Sequence, residues 1–199
     1  MSSYLSLEKK LGFDKALPVT EHWSAAPDFL TLLSDYCLQE KPQCIVECSS
    51  GTSSLVLSQC CKLNQSGYVF SLENGEEYAT KTRQQLVEFL LSDYCDVIHA
   101  PLQATSVADE VYQWYAFDEF PEASIDLLVV DGPPGFLQKH SRYPALPMLA
   151  DRLAEHCTVF LDDAARDDEQ ALVQRWMAAY PDFQAEYFDN ERGCFILKR

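Results

Sequence analysis

Acidic residues follow four short apolar runs in this 199-residue chain, and their positions indicate a common site. Glu47, Glu73 and Asp131 each come directly after such a run, and the pair Asp162-Asp163 follows a fourth run. A carboxylate at the end of a buried strand loses hydration, so it needs a hydrogen-bond or charge partner. Carboxylates can accept hydrogen bonds from ligand hydroxyls or take up a proton during a reaction. Four such positions in sequence order therefore indicate a site that uses carboxylates.

A turn of small residues follows Glu47 and reads S-S-G-T-S-S over residues 49–54. Small side chains let a ligand approach the backbone closely, and the start of the following helix offers free N–H groups. Glu73 comes 22 positions after Gly51, where an acidic residue can accept hydrogen bonds from both hydroxyls of a ribose. The turn lacks the G-x-G-x-x-G pattern, because serines stand where glycines would be needed beside a pyrophosphate. The pattern therefore disfavours a dinucleotide more than a ligand without phosphate.

Short apolar runs alternate with amphipathic stretches along most of the chain, which predicts a parallel sheet covered by helices on both faces. The predicted strands are 44–46, 68–72, 97–98, 125–130 and 158–161. Four predicted helices span 27–39, 52–62, 143–155 and 166–180. A further helix follows the second strand: Asn74 caps it, and its apolar side carries Ala79, Leu86, Phe89 and Leu90. Residues 1–26 look irregular, and residues 100–124 give no clear assignment.

The end of the chain has the pattern of a β-hairpin. Two strands at about 183–188 and 194–198 flank the turn at 189–193, so at least one of them runs antiparallel to the sheet. The predicted fold is an α/β fold with an open, mostly parallel Rossmann-like sheet, helices on both faces and a C-terminal antiparallel hairpin. We expect one domain over residues 27–199, preceded by an N-terminal segment over residues 1–26. Such sheets bind ligands at the carboxyl ends of their strands.

Charge and composition narrow the classes of function. The formal net charge is -16, which repels a phosphate backbone and argues against nucleic acid as a partner. No apolar stretch approaches the roughly 20 residues that span a bilayer, and the N-terminus MSSYLSLEKK lacks the apolar segment of a signal peptide. The 8 cysteines form no C-x-x-C pair and several lie in apolar runs, which favours reduced structural thiols. We therefore expect a cytoplasmic protein that acts on a small molecule, without nucleic acid or membrane as partner.

Together these motifs resemble those of class I S-adenosylmethionine-dependent methyltransferases. Residues 47–54 are similar to the first motif E-x-G-S-G-x-S-T of the small-molecule O-methyltransferase group, with serine at the first glycine and at the final threonine. Residues 72–73 resemble the acidic second motif, and residues 126–132 resemble the fourth-strand motif. The resemblance covers about residues 25–199, including the closing hairpin. It implies the seven-stranded methyltransferase fold and transfer of a methyl group from S-adenosylmethionine to a small molecule at oxygen.

The resemblance also implies which residues hold the cofactor. Around the methionine part would lie Glu47, Ser49, Ser50, Gly51, Ser53 and Ser54. Glu47 would anchor the turn and reach the methionine amino group through water. Glu73, with Asn74 beside it, would bind the ribose hydroxyls, and the segment from His99 to Leu102 would lie near the adenine. Asp131 would face the methyl-transfer region.

Two ways of removing the proton of the acceptor fit the sequence. In some similar O-methyltransferases an aspartate after strand four and an acidic/amide pair after strand five bind a divalent cation. Asp131, Asp162 and Asp163 occupy the matching places and would hold Mg²⁺, although the usual Asp-Asn pair is Asp-Asp here. Alternatively, His140 and Tyr143 follow strand four and could line the acceptor pocket, with His140 as the base.

Several further features allow more than one interpretation. Arg142 could bind an acidic group of the substrate, and Trp23 with Ser24 could fold over the cofactor or only pack. An aromatic stretch could cover a flat substrate or belong to the core: Tyr112, Trp114, Tyr115, Phe117 and Phe120. Two other functions stay open, namely a nucleotide- or NAD-dependent α/β enzyme and a non-catalytic cofactor-binding module.

Overall fold

Helices and strands alternate in the computed structural model, which describes residues 3–21, 23–116 and 123–199. The helices are α1 Tyr4–Leu11, α2 Pro27–Glu40, α3 Thr52–Asn64, α4 Glu76–Glu88, α5 Ala145–Leu149 and α6 Asp167–Ala179. The strands are β1 Cys44–Cys48, β2 Tyr68–Glu73, β3 Cys95–His99, β4 Leu102–Val107, β5 Glu110–Tyr115, β6 Ile125–Val130, β7 Leu153–Leu161, β8 Gln184–Phe188 and β9 Cys194–Lys198. None of the helices in the described ranges is long and apolar enough to cross a membrane.

Seven of the described strands form one sheet in the order β3-β2-β1-β6-β7-β9-β8. Strands β3, β2, β1, β6 and β7 run parallel, whereas β9 is antiparallel to both of its neighbours. Strands β4 and β5 form a separate antiparallel hairpin. The predicted open, mostly parallel sheet with a C-terminal hairpin is therefore confirmed, and it has the seven strands that the resemblance implied.

Alternate residues of the central strands enter two apolar cores, one on each face of the sheet. Ile45 and Leu127 pack with helices α1 to α4, whereas Val46 and Leu128 pack with α5, α6 and the hairpin β4–β5. All four side chains are fully buried. Strands that are buried on both faces read as continuous apolar runs, which is why they were easy to find in the sequence.

The N-terminal segment contains a helix, so the expectation that residues 1–26 are irregular is wrong for part of it. Helix α1 begins after Ser3, whose side chain accepts a hydrogen bond from the helix backbone, and it ends at Gly12, which has a φ of 68°. Leu7 and Leu11 are buried in the same core as α2 and α3. The domain boundary at residue 26 stays a prediction.

The predicted helix 143–155 is largely replaced by other structure. Helix α5 ends at Leu149, a 3-10 turn follows, and β7 begins at Leu153. Leu153 lies opposite Ile125 of β6, and β7 continues the sheet from that pair. Pairing with a central strand overrides the helical spacing of the apolar residues that had predicted the longer helix.

The start and end of α4 also differ from the prediction. Asn74 does not cap this helix, because Gly75 occupies the N-cap position. Phe89 and Leu90 lie beyond the last residue of the helix. Strand β3 is longer than the predicted 97–98, and the described part of the unassigned region after it contains the hairpin β4–β5.

The aromatic stretch belongs to the core in the part that the structure describes. Tyr112, Trp114 and Tyr115 of β5 are buried in the core that also contains α6. They are therefore not available to cover a substrate. Phe117 and Phe120 lie outside the described residues.

The cysteines behave as small apolar residues. All eight are buried and unpaired, as predicted for reduced structural thiols. Burial raises the pKa of both Cys60 and Cys61 to about 12, so these thiols are poor nucleophiles in the folded chain.

Candidate active site

A cleft of about 1070 Å³ opens where β1, β2, β6 and β7 end. Its walls include residues 49–53 after β1, Glu73 and Asn74 at the end of β2, Asp131 after β6 and Asp163 after β7. This is the edge at which open α/β sheets bind ligands. The structure thus brings three of the predicted carboxylates to one cavity.

The small-residue turn after β1 forms the back of the cleft, with Ser49, Ser50, Gly51 and Ser53 in its lining. Ser49 has a φ of 104° and Gly51 a φ of 141°, values that favour glycine. The N–H of Ser49 donates to the carbonyl of Leu72 at 2.8 Å, which ties the turn to β2. The serine in place of glycine is therefore accommodated, but at the cost of a disfavoured backbone conformation.

Glu73 lies at the junction of this turn and α4, with only 6% of its surface exposed. Its Oε2 accepts hydrogen bonds from the N–H and the hydroxyl of Ser50, at 3.1 and 2.9 Å. Its Oε1 accepts the N–H of Gly75 at 2.9 Å. A carboxylate has about four acceptor positions, so one is left, and a second is freed if the Ser50 hydroxyl turns to Thr82, which lies 3.1 Å away. Glu73 can thus accept two hydrogen bonds from a diol.

Glu47 lies beneath the turn and does not line the cleft. It is fully buried in β1, directly opposite Ser71 of β2. Its Oε2 accepts hydrogen bonds from the hydroxyls of Ser71 and, at 2.6 Å, Ser54, and the Ser54 oxygen accepts the N–H of Gly51. Burial raises the pKa of Glu47 to about 7, although the serine hydroxyls oppose the shift. Glu47 and Ser54 therefore have an anchoring place under the turn and not a place in the cleft.

The side of the cleft next to Glu73 is not lined by the residues expected there. His99 ends β3 and Leu102 begins β4, and neither is in the lining, so their place near the adenine stays a prediction. Helix α4 forms this wall instead, through Tyr78, Lys81, Thr82 and Gln85. Their spacing of three and four residues places them on one helix face. That spacing, directly after Glu73, was the sequence signal that was missed.

Arg142 lies among the carboxylates at the floor of the cleft. Its Nη2 is 2.8 Å from Oδ2 of Asp163 and 3.2 Å from Oδ1 of Asp131. The Arg142 side chain is 3% exposed, and its Nε is 3.9 Å from Oε1 of Glu169. The floor of the cleft is therefore a buried network of ions.

The three predicted metal ligands do not converge on one point. Asp131 and Asp163 both face the guanidinium of Arg142. Oδ1 of Asp162 accepts the N–H of Asp163 at 2.8 Å, and its Oδ2 is buried without a hydrogen-bond partner in the described ranges. Among the residues that the structure describes, no group of His, Cys, Asp and Glu is arranged to hold a metal ion. The residues do not fit Mg²⁺, because a guanidinium occupies the place between the carboxylates.

Three carboxyl groups around Arg142, those of Asp131, Asp162 and Glu169, have raised pKa values. Burial raises the pKa of Asp131 to about 6, although Arg142 opposes the shift. Burial also raises the pKa values of Asp162 and Glu169. The side chain of Asp131 is 16% exposed and lines the cleft. Asp131 is therefore placed to exchange a proton with a bound molecule near neutral pH.

His140 and Tyr143 are not in the lining of the cleft, and their role in an acceptor pocket stays a prediction. The Tyr143 ring is buried, with the guanidinium of Arg175 at 3.9 Å from its centre and the Tyr112 ring at 5.6 Å. Nδ1 of His140 lies 3.4 Å from Nη1 of the same arginine. Both side chains thus pack towards α6, whereas Arg142 between them turns into the cleft.

Exposed apolar side chains border the opening of the cleft. Trp23 and Phe136 are 61% and 78% exposed, and their rings make an edge-to-face contact with centres 6.3 Å apart. The hydroxyls of Ser24 and Thr52 are 3.0 Å apart, which fixes the N-terminal segment to the turn. Of this border, only Trp23 and Ser24 were predicted from the sequence, because Phe136 has no periodic pattern around it.

Comparison with known proteins identifies one family and many related folds. The family model described as a methyltransferase domain matches residues 46–164. No curated protein matches the chain. Similar solved structures include an O-methyltransferase from Bacillus cereus in complex with SAH, at 15% identity and a TM-score of 0.67 over 98% of this chain and 88% of that chain.

Two further structures extend the comparison. The O-methyltransferase TomG from Streptomyces achromogenes in complex with SAM has 14% identity and a TM-score of 0.68 over 97% of this chain and 86% of that one. A precorrin-6y C5,15-methyltransferase from Geobacter metallireducens GS-15 has 14% identity and a TM-score of 0.65, with 94% of each chain covered. At these identities the similarity concerns the fold.

Proposed function

This chain belongs to the methyltransferase domain family, and we propose that it transfers the methyl group of S-adenosylmethionine to an oxygen atom of a small molecule. The observation that carries the proposal is the cleft shared by the small-residue turn, Glu73 and Asp131. Both the turn and the two carboxylates fall within the matched residues 46–164. The family match disfavours the nucleotide- or NAD-dependent alternative, and an accessible carboxyl group in the cleft disfavours the non-catalytic one.

The turn and Glu73 supply the groups that the cofactor requires. S-adenosylmethionine, when bound, supplies an electrophilic methyl group on a sulfonium that is already a good leaving group. Glu73 would accept the hydrogen bonds of the ribose hydroxyls, with the Ser50 hydroxyl turning to Thr82, which lies within its reach. The backbone of residues 49–51 would hold the methionine part, and the α4 wall, with Tyr78, would hold the adenine.

Asp131 is the residue that we assign to proton removal. A base works best when its pKa lies near the working pH, and burial raises the pKa of Asp131 to about 6. Its carboxylate would take the proton of the acceptor hydroxyl. A bound S-adenosylmethionine would supply the methyl group, and its sulfur would keep the electron pair of the carbon–sulfur bond. Arg142 holds Oδ1 of Asp131 at 3.2 Å and so limits rotation of the carboxylate.

The rest of the cleft fits a small, flat acceptor with an apolar side. A volume of about 1070 Å³ holds a nucleoside cofactor and a small molecule. Trp23 and Phe136 offer apolar contact at the opening. Asp167 and Asp168 also line the cleft, and with the net charge of -16 they disfavour a phosphate-rich partner.

Calorimetric titration with S-adenosylmethionine and S-adenosylhomocysteine tests the cofactor assignment. We expect micromolar binding of both, and a loss of about 100-fold or more for Glu73→Ala, which removes charge-assisted hydrogen bonds to the ribose. Glu77→Ala is the matched control, because it removes the same charge from an exposed position in the first turn of α4. No binding of either ligand at millimolar concentration would refute the cofactor assignment. An equal loss in both variants would refute the role of Glu73.

A panel of hydroxyl, amine and carbon acceptors, followed by release of S-adenosylhomocysteine, tests the acceptor class. We expect turnover with hydroxyl compounds, and for Asp131→Asn a fall in kcat of about 100-fold or more with unchanged cofactor affinity. Asparagine keeps the shape of the side chain but cannot take up the proton. Transfer only to amines or carbon would refute the oxygen assignment, and a normal kcat in the variant would refute the base assignment.

A further inference from the structure

The carboxylates at the floor of the cleft already contain a cation, the guanidinium of Arg142. Its Nη2 donates to Oδ2 of Asp163 at 2.8 Å and to Oδ1 of Asp131 at 3.2 Å. Nη2 also donates to the carbonyl of Asp131 at 2.9 Å, and Nη1 donates to the carbonyl of Asp162 at 3.0 Å. Because the side chain is 3% exposed, the guanidinium is fixed between the segments that follow β6 and β7.

The surrounding charges explain why this place needs a cation. The carboxyl groups within the network belong to Asp131, Asp162, Asp163 and Glu169. Burying so many acidic groups is costly unless a positive charge compensates them. Arg142 supplies that charge from inside, and Arg166, which is 52% exposed, adds a second at 2.9 Å from Oδ2 of Asp163. Burial lowers the pKa of Arg142, but the carboxylates outweigh burial and hold it above its usual value.

A divalent cation between Asp131 and Asp163 would have to take the place of this guanidinium. Mg²⁺ requires its oxygen ligands at about 2.1 Å in an octahedral arrangement. Nη2 of Arg142 lies within hydrogen-bond distance of one oxygen from each carboxylate. A metal ion that bridged the same two oxygens would therefore meet the guanidinium at short range and be repelled by it.

We propose that Arg142 replaces the divalent cation of similar O-methyltransferases, so that this site works with a built-in guanidinium and without metal. Arg142 is then a positioning residue, which orients the Asp131 carboxylate at the cleft and balances the charge of the acidic floor. This inference rests on the proposed methyl transfer. Its test measures cation binding and not cofactor binding, so the inference can fail while the cofactor assignment stands, and the cofactor assignment can fail while the inference stands.

Titration with Mn²⁺, in which free Mn²⁺ is measured by electron paramagnetic resonance, tests the proposal on the metal-free whole chain. Wild type and Asp163→Asn should both bind Mn²⁺ no more tightly than about 1 mM, as weak surface sites do. Asparagine tolerates the φ of 58° at this position, so the variant should fold. Micromolar binding by wild type that Asp163→Asn abolishes would overturn the proposal. Mn²⁺ binding that survives Asp163→Asn takes place elsewhere on the acidic surface and agrees with the proposal.

Arg142→Met opens the network and should create a cation site. We expect it to bind Mn²⁺ at least about tenfold more tightly than wild type, with competition by Mg²⁺, and to gain thermal stability when Mn²⁺ is added. Adding Asp163→Asn to this variant should remove the gain. Arg166→Met is the matched control, because it removes the same charge from the same network but keeps Arg142, and it should show no gain. A folded Arg142→Met variant that binds Mn²⁺ no more tightly than wild type would overturn the proposal. If that variant does not fold, the titration of wild type and Asp163→Asn decides whether the proposal stands.

Discussion

Replacing the buried Glu47 by glutamine should favour the variant over wild type increasingly as the pH rises from acid to alkaline solution. Glu47 is fully buried, and its Oε2 accepts hydrogen bonds from the hydroxyls of Ser54 and Ser71. Its Oε1 has no hydrogen-bond partner among the described residues. Glutamine has the same shape, and its carbonyl oxygen can accept both hydroxyls. It carries no charge at any pH, so it avoids the cost of burying a carboxylate.

The size of the effect follows from the pKa of Glu47, which burial raises from 4.5 to about 7. Well below pH 4.5 the group is protonated in both the folded and the unfolded state, so its contribution to stability is complete. As the pH rises towards 7, the unfolded chain releases this proton while the folded chain keeps it, which costs about 1.4 kcal/mol per pH unit. Between pH 5 and pH 8 the loss is about 2 to 3 kcal/mol, and above pH 7 it levels off.

Urea unfolding of wild type and Glu47→Gln at pH 5 and pH 8 measures this effect. The informative quantity is the change with pH in the difference between the two proteins, because contributions from other titrating groups cancel. We expect the free energy of unfolding of the variant, relative to that of wild type, to be about 2 to 3 kcal/mol higher at pH 8 than at pH 5. Glu155→Gln, at an exposed position of β7, is the control and should give the same difference at both pH values. A difference for Glu47→Gln that does not change with pH would refute the argument that burial keeps this side chain protonated.

Three further predictions concern the strained turn, a crowded glycine and the thiols. Ser49→Gly should raise the free energy of unfolding by about 1 kcal/mol, because it relieves the Cβ at a φ of 104°; a lower melting temperature would contradict this. Gly132→Ala should cost about 2 kcal/mol or more in urea unfolding, because its Cβ would clash with the Tyr115 hydroxyl. Gly135→Ala is the control, since its Cβ would have no neighbour among the described atoms closer than 3.5 Å, and an equal cost for both would argue against the clash. All eight thiols should react with a disulfide reagent only after unfolding, because they are buried, and fast labelling of any thiol in the native protein would show that it is accessible.

The large sheet could be predicted because its strands are buried on both faces, whereas the hairpin β4–β5 could not. Only Val107 of β4 is buried, and three of its other five residues are exposed, so no continuous apolar run marks the strand. Its turn uses Ala108 and Asp109, both with positive φ values of 50° and 65°. Two-residue turns of this kind usually contain Asn-Gly or Asp-Gly, and that signal is missing here. Tertiary packing therefore selects a turn that the local sequence does not indicate.

The carboxylates at the strand ends could be found from the sequence, but their roles depend on where each strand stops. Glu47 lies within β1, one residue before its end, so it points into the core opposite Ser71. Glu73 is the last residue of β2, and Asp131 follows the last residue of β6. A shift of one or two positions relative to the strand end thus turns a cleft residue into a buried anchor. Apolar patterns locate strands well but leave their ends uncertain by about this much.

The charge partner of these carboxylates was hidden for a different reason. Arg142 comes 11 positions after Asp131, in a segment where His140 and Tyr143 had an equal claim to the cleft. The carbonyl of Tyr143 accepts the indole N–H of Trp176 at 2.8 Å, which fastens the segment to α6 and leaves Arg142 facing the carboxylates. A pattern of carboxylates at strand ends is compatible with either a metal ion or a guanidinium. A basic residue in the segment after the fourth parallel strand is therefore the feature that has to be weighed before a metal is assigned to such a sequence.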